Sequence, residues 1–266
     1  MNTPATLCTP AELAAFRRKL AKVDPVLASV IRAAGKFTHA PNAEHTPFHA
    51  LARAIAHQQL NGIAAESIFG RFVGLYPLNA NGAALLEAEL VLGTPDDKLR
   101  AVGLSFAKIA SIKDLATKTI AGTVPPYEIL HTLDDEEIIE RLTQVRGIGR
   151  WTVEMMLMFR LGRPDVLPVD DFGVRNGFRL AYGLRGMPTV RALNEYGSRW
   201  APFRSVAAWY LWRAVDLHRA GKLPAPGVKT RVKLVKKRPK KKKSSAKRVA
   251  KKTKRVRKAR ARRAHK

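Results

Sequence analysis

Helix punctuation constrains this chain more than anything else in it. Four times an oxygen-bearing residue stands directly before a proline: Thr9-Pro10, Asp24-Pro25, Thr46-Pro47 and Thr94-Pro95. The side-chain oxygen can accept a hydrogen bond from a free first-turn N–H, and proline fits the first helical position, where no N–H is needed. Gly35, Gly103 and Gly122 are candidate stops, because glycine takes the left-handed conformation that ends a helix. Between starts and stops, apolar residues recur at three and four, as at Leu51 and Ile55, or Ile138, Ile139 and Leu142. No alternating run or tight hairpin signal argues for strands. The expected class is all-α, with roughly ten helices.

Charge divides the chain. The formal net charge is +28, and residues 229–266 hold 22 Lys or Arg with no Asp or Glu, so the remainder is only +6, that is +28 less those 22. Pro224-Ala225-Pro226-Gly227 marks the break. The segment beyond it has almost no large apolar residue after Leu234, so it reads as a disordered Lys/Arg-rich tail, 228–266. A polyanion is the natural partner, and nucleic acid fits best because Lys and Arg release phosphate counterions. Cys8 is the single cysteine, which excludes an internal disulfide and an iron–sulfur cluster needing about four thiolates. Neither a signal peptide nor a membrane-spanning run is expected, so the reading is an intracellular protein without membrane contact: cytoplasmic or nucleoid-associated in a bacterium, nuclear in a eukaryote. The run Lys236 to Lys243 would serve as a nuclear signal in the latter.

Two stretches carry chemistry. In the first, Arg146-Gly147-Ile148-Gly149-Arg150-Trp151-Thr152 follows an acid-rich helix and opens another near Arg150. Two glycines around one apolar residue make a tight turn, and a helix N-terminus presents free N–H groups and the positive dipole end to an anion. Such a turn can hold a DNA phosphate without reading sequence, although an ordinary helix–helix turn would look the same. In the second, Leu167-Pro168-Val169-Asp170-Asp171 precedes an amphipathic helix running to about Tyr182. An N-cap explains one of the two acids but not both.

Helix, Gly-Ile-Gly hairpin, helix and a Pro-containing loop ending in Asp together resemble the helix-hairpin-helix DNA glycosylase superfamily. Gly-Ile-Gly-Arg-Trp-Thr and Leu-Pro-Val-Asp-Asp look like its alkylation-repair branch, 3-methyladenine DNA glycosylase II. The resemblance runs from about Asp24 to Leu223. It implies two helical subdomains with a cleft between them, spanning 24–223, after a short-helix extension over 1–23. The best-known bacterial member carries a β-containing domain before this core; with only some twenty residues ahead of Asp24, that domain is not expected here.

The resemblance also implies roles. Asp171 matches the catalytic aspartate. Trp151 stands where bifunctional relatives carry a nucleophilic lysine, so no Schiff base is expected and the enzyme should be monofunctional. Trp151, Trp212 and Gln58 are the expected base pocket; a plain core anchor is the alternative for Trp151. Gln59 or Leu60, in the turn His57-Gln58-Gln59-Leu60-Asn61-Gly62, is the expected wedge that fills the gap left by a flipped base. Arg146, Gly147, Ile148, Gly149, Arg150 and Thr152 form the expected phosphate-binding hairpin. Arg204 is assigned a structural role and Trp209 a place in the core. No metal or organic cofactor is needed, though a monovalent cation at the hairpin carbonyls would fit the family.

The implied activity is excision of alkylated purines, 3-methyladenine and also 7-methylguanine and related bases, from duplex DNA by a monomer that flips the base and hydrolyses its glycosidic bond. The competing reading is a non-enzymatic, architectural DNA-binding protein using the hairpin and the tail. That reading leaves Asp171, Trp151 and the Gln58-Gln59 turn without a task.

Overall fold

The structure, a computed structural model, describes residues 9–42, 45–78 and 84–227. The tail expected over 228–266, and with it the disorder and the DNA contact read from its charge, lies outside the described residues. Thirteen α-helices and one 3₁₀ helix fill the described part: α1 (Pro10–Val23), α2 (Pro25–Ala34), α3 (Pro47–His57), α4 (Gly62–Val73), α5 (Ala88–Gly93), α6 (Asp96–Ala101), α7 (Phe106–Ile120), α8 (Tyr127–Leu130), α9 (Asp135–Leu142), α10 (Arg150–Phe159), α11 (Phe172–Ala181), α12 (Val190–Gly197), the 3₁₀ turn Ser198–Trp200, and α13 (Arg204–Arg219). No strand occurs among the described residues, only an isolated bridge between Leu78 and Ala84. The surplus over ten comes from α5, α6 and α8, six, six and four residues long. Helices that short complete fewer than two turns, so a 3.6-residue period cannot repeat in them.

The caps explain most of the boundaries. Thr9 and Glu12 form a capping box; the Asp24 carboxylate accepts the Leu27 N–H at 3.2 Å; the Thr46 hydroxyl accepts that of His49 at 3.2 Å. Thr94-Pro95 behaves differently. Helix α6 starts one residue later, at Asp96, and the Thr94 hydroxyl instead donates to the Leu90 carbonyl at 2.8 Å, closing α5. Gly35, Gly103 and Gly122 all have positive φ, as the stop signals require.

Two helical groups build the body. Helices α1, α2, α11 and α13 pack together on one side, and α3, α4, α5, α6 and α7 on the other, with α9 packed on α10. One continuous apolar core runs through both, from Phe16 and Leu20 of α1 to Leu211 and Ala214 of α13. Residues of the expected extension over 1–23 are thus part of the body, because Phe16 and Leu20 are buried in its core.

A buried polar knot ties the first group. Asp24 is 1% exposed. While one of its oxygens caps α2, the other accepts from the Tyr182 hydroxyl at 2.6 Å and the Trp200 indole N–H at 2.8 Å. Burial, and then the neighbouring Asp24 charge, hold the Tyr182 hydroxyl well above its ordinary pKa, so it stays a donor. Replacing Asp24 by Asn presents an NH₂ to the Trp200 indole, which can only donate, and to a Tyr182 hydroxyl that would have to turn to accept. The expected cost is about 2 kcal/mol, read as a lower urea midpoint at unchanged m-value. An unchanged midpoint would show that the knot contributes nothing.

Candidate active site

The loop between α10 and α11 is fastened from behind by α13. The Arg204 guanidinium grips the Asp165 carboxylate with two bonds of 2.8 and 2.9 Å, and the Arg204 amide adds a third at 3.1 Å. The Ser205 hydroxyl, fully buried, accepts the Val166 N–H at 2.9 Å and donates to the Arg163 carbonyl at 2.7 Å. Arg204 therefore holds structure, as expected. The loop then turns at Pro168, whose carbonyl accepts the Asp171 N–H at 3.0 Å, and delivers Asp171 to the first position before α11.

Asp171 is a helix cap and more than a cap. Its Oδ1 accepts the Val174 N–H at 2.7 Å and the Trp212 indole N–H at 2.9 Å. Its Oδ2 accepts the Trp151 indole N–H at 2.9 Å. A carboxylate offers about four lone-pair sites, two per oxygen. Three are filled, and the open one is on Oδ2. Two indoles from different helices, α10 and α13, converging on one carboxylate are far more than a cap requires. Asp170 is exposed and takes no part in this grip.

Trp151 is 47% exposed, which excludes the core-anchor alternative. Its ring lines a cleft of about 570 Å³ between α3 and α10, whose walls include Gln58, Gln59, Thr152, Met155 and Phe159. Trp212 does not line this cleft. It stacks behind Phe159, ring centroids 5.7 Å apart at 28°, and reaches the site only through that ring and Asp171. Gln58 closes the far wall by donating to the Gly147 carbonyl at 2.8 Å, so the cleft and the hairpin share a residue.

The turn after α3 is strained and open. Gln59 has φ +59°, a left-handed conformation that a long side chain rarely adopts, and Gln59 and Leu60 are both exposed. Asn61 caps α4 by accepting the Ala64 N–H at 2.9 Å. Two residues on, Ile63 is 89% exposed, an uncovered apolar side chain beside the turn.

The hairpin is built as a turn of backbone donors. Gly147 has φ +81° and sits against Ser111, where a Cβ would come within 3.0 Å of the Ser111 hydroxyl. Ile148 is 4% exposed and plugs the turn into the core. The Arg146 amide donates to Asp114 at 2.7 Å and the Ile148 amide to the Val145 carbonyl at 3.0 Å. No acceptor among the described residues takes the N–H groups of Gly147, Gly149 or Arg150. Two members of the expected hairpin set have their side chains engaged elsewhere. The Arg150 guanidinium is committed to Glu136, at 2.5 and 2.9 Å, and to Glu154, at 3.1 Å. Thr152 is nearly buried and faces the cleft, while its amide donates to Gly149. What the hairpin leaves unengaged is therefore a set of backbone amides rather than the side chains of Arg150 or Thr152.

Glu154, one turn along α10 from Trp151, was not anticipated. Burial, only partly offset by Arg150, pushes its carboxyl up to about 7. A carboxyl raised above its unfolded value favours the fold below about 4.5 and loses that contribution as the pH climbs through about 7. Glu154→Gln removes this dependence. The difference in Tm, variant minus wild type, should thus be more positive at pH 8 than at pH 5; a difference independent of pH would contradict the shift.

Among the described residues, no group of three or more His, Cys, Asp or Glu is arranged to hold a metal ion.

This geometry has known counterparts. DNA-3-methyladenine glycosylase 1 of Schizosaccharomyces pombe is 44% identical over 171 residues, 64% of this chain and 73% of that protein. The solved S. pombe 3-methyladenine DNA glycosylase, bound to abasic DNA, superposes with a TM-score of 0.66 at 39% identity, covering 76% of this chain and 97% of that one. A DNA-3-methyladenine glycosidase from Bacillus halodurans gives 0.66 at 34% identity, covering 76% and 89%. The HhH-GPD superfamily of base excision DNA repair proteins matches residues 52–202, which hold the cleft, the hairpin and Asp171. With those features on one scaffold, the chain belongs to the HhH-GPD superfamily and is a DNA-repair glycosylase that acts on duplex DNA.

Proposed function

We propose that this glycosylase excises alkylated purines, 3-methyladenine first and 7-methylguanine among others, by hydrolysis and without strand cleavage. The observation that carries the reading is the Asp171 carboxylate, held by two indole N–H groups beside an aromatic-walled cleft. The names of the similar proteins support the substrate class.

The chemistry follows from the residues. The amides of Gly147, Gly149 and Arg150 hold a phosphate next to the lesion. Gln59 and Leu60, on the strained turn, enter the helix where the base leaves, and the flipped base enters the cleft against Trp151. Alkylation at N3 or N7 puts a positive charge on the purine, which an indole face attracts. The C1′–N bond breaks with its electron pair going to the base, neutralising it and leaving oxocarbenium character on the sugar. The Asp171 carboxylate, with its open lone pair on Oδ2, stabilises that cation. Water then adds its oxygen to C1′ and releases its proton to solvent, so that a cationic lesion yields a neutral base, an abasic sugar and one proton. A lyase step would need an amine at C1′. By the resemblance, Trp151 stands where a lyase carries that amine, and its N–H is already bonded to Asp171.

Borohydride tests the hydrolytic route. With duplex carrying 3-methyladenine, no protein–DNA adduct should be trapped, and strands should break only after alkali. A trapped adduct, or breaks without alkali, would establish a lyase step and remove Trp151 from the argument.

A further inference from the structure

Gly173 stands in the first turn of α11, two residues beyond Asp171, and nothing in the local helix calls for a glycine there. Its φ is not in the left-handed region, so backbone conformation does not require it. Alanine is the better helix former, so helix propensity alone would favour replacing it. What requires glycine is the space above it. A Cβ at Gly173 would lie 2.6 Å from Cδ1 and 2.8 Å from Nε1 of Trp212, and 3.1 Å from Oδ1 of Asp171. Carbon atoms do not approach that closely. These are the donor and the acceptor of one hydrogen bond, the 2.9 Å contact from the Trp212 indole to Asp171.

We propose that Gly173 is a positioning residue: the missing side chain is the slot through which the Trp212 indole reaches Oδ1 of Asp171, so that Oδ1 is filled by Trp212 and Val174 and the only open lone pair is left on Oδ2. Without that bond, Oδ1 keeps a single donor, the Val174 N–H, and only that cap and the Trp151 indole on Oδ2 still fix the carboxylate. Trp212 would be pushed toward Phe159, on which it now stacks, and so toward the cleft wall. This inference rests on Asp171 as the catalytic group.

Gly173→Ala, Trp212→Ala and the double variant test it together. A displacement of about 1 Å at a reacting group can lower a rate by roughly 100-fold. The single-turnover rate of base release in Gly173→Ala is therefore expected to fall between about 10- and 100-fold, while affinity for duplex containing an abasic-site analogue stays within about 2-fold. In the Trp212→Ala background the same substitution should cost under about 2-fold, because the two indole atoms it would strike are gone and only the milder 3.1 Å approach to Oδ1 remains. The indole N–H resonance of Trp212 should move in Gly173→Ala. Should Gly173→Ala fail to fold, the double variant must fold, since it lacks the clash. Equal costs in both backgrounds, an unmoved Trp212 resonance, or a double variant that also fails to fold would each overturn the proposal. The resonance reads the slot without reference to chemistry. Loss of the catalytic assignment, seen as full activity in Asp171→Asn, is therefore distinguishable from loss of this one.

Discussion

Asp171→Asn should lower the single-turnover rate of base release by about 10²- to 10³-fold, the range seen when a preorganised electrostatic contact to a transition state is lost, with little change in stability. The two halves of that expectation come from different atoms. Asn caps a helix as well as Asp does, so its carbonyl can replace Oδ1 in receiving the Val174 N–H, and α11 keeps its start. Its other group is an NH₂. It would face the Trp151 indole N–H, which also donates, where Oδ2 accepted at 2.9 Å. The negative charge needed against an oxocarbenium ion is gone as well. An Asn variant with wild-type rate would reduce Asp171 to a cap, and the two indoles to packing.

The largest effect on stability is expected at Gly177. It lies where α11 crosses α13, and a Cβ there would sit 1.9 Å from the carbonyl oxygen of Leu211 and 2.6 Å from its carbonyl carbon. Those atoms are backbone in the middle of a helix, so no rotamer change relieves the contact and the helices must part. Overpacking a core costs about 1–3 kcal/mol when side chains can adjust. Here they cannot, and Gly177→Ala should cost on the order of 3 kcal/mol or more. Helix propensity acts in the opposite direction, by up to about 1 kcal/mol, so a measured loss is attributable to the crossing. The same two helices carry Asp171 and Trp212, and the variant should lose base release along with its cooperative transition. A melting midpoint equal to wild type would mean that α11 and α13 are not in contact at this glycine.

The two glycines of α11 show what a sequence conceals. Gly147 announced itself, because a Gly-x-Gly turn before a helix has a local reason. Gly173 and Gly177 have only distant reasons, in residues more than thirty positions away, and no local pattern marks them. Caps were legible where the oxygen and the helix it serves are neighbours, as at Thr9, Asp24 and Thr46. Thr94 failed because its hydroxyl had a second acceptor, the Leu90 carbonyl behind it. The resemblance located Asp171, Trp151 and the hairpin. It could not say that Arg150 would be consumed by Glu136 and Glu154, that Thr152 would turn into the cleft, or that Trp212 would serve Asp171 from behind Phe159. Those outcomes depend on which face of α10 meets the core, and a run such as Arg150-Trp151-Thr152 looks the same whichever face is buried.

The central claim is that this protein releases an alkylated base and leaves the sugar–phosphate strand whole. The most direct measurement incubates the full chain with duplex bearing a single 3-methyladenine, identifies the released product by mass spectrometry, and resolves the strand before and after alkali. Free 3-methyladenine, with an intact strand that breaks only in alkali, is the expected result. Tight, salt-sensitive binding to the same duplex with no base released at any enzyme concentration would contradict it.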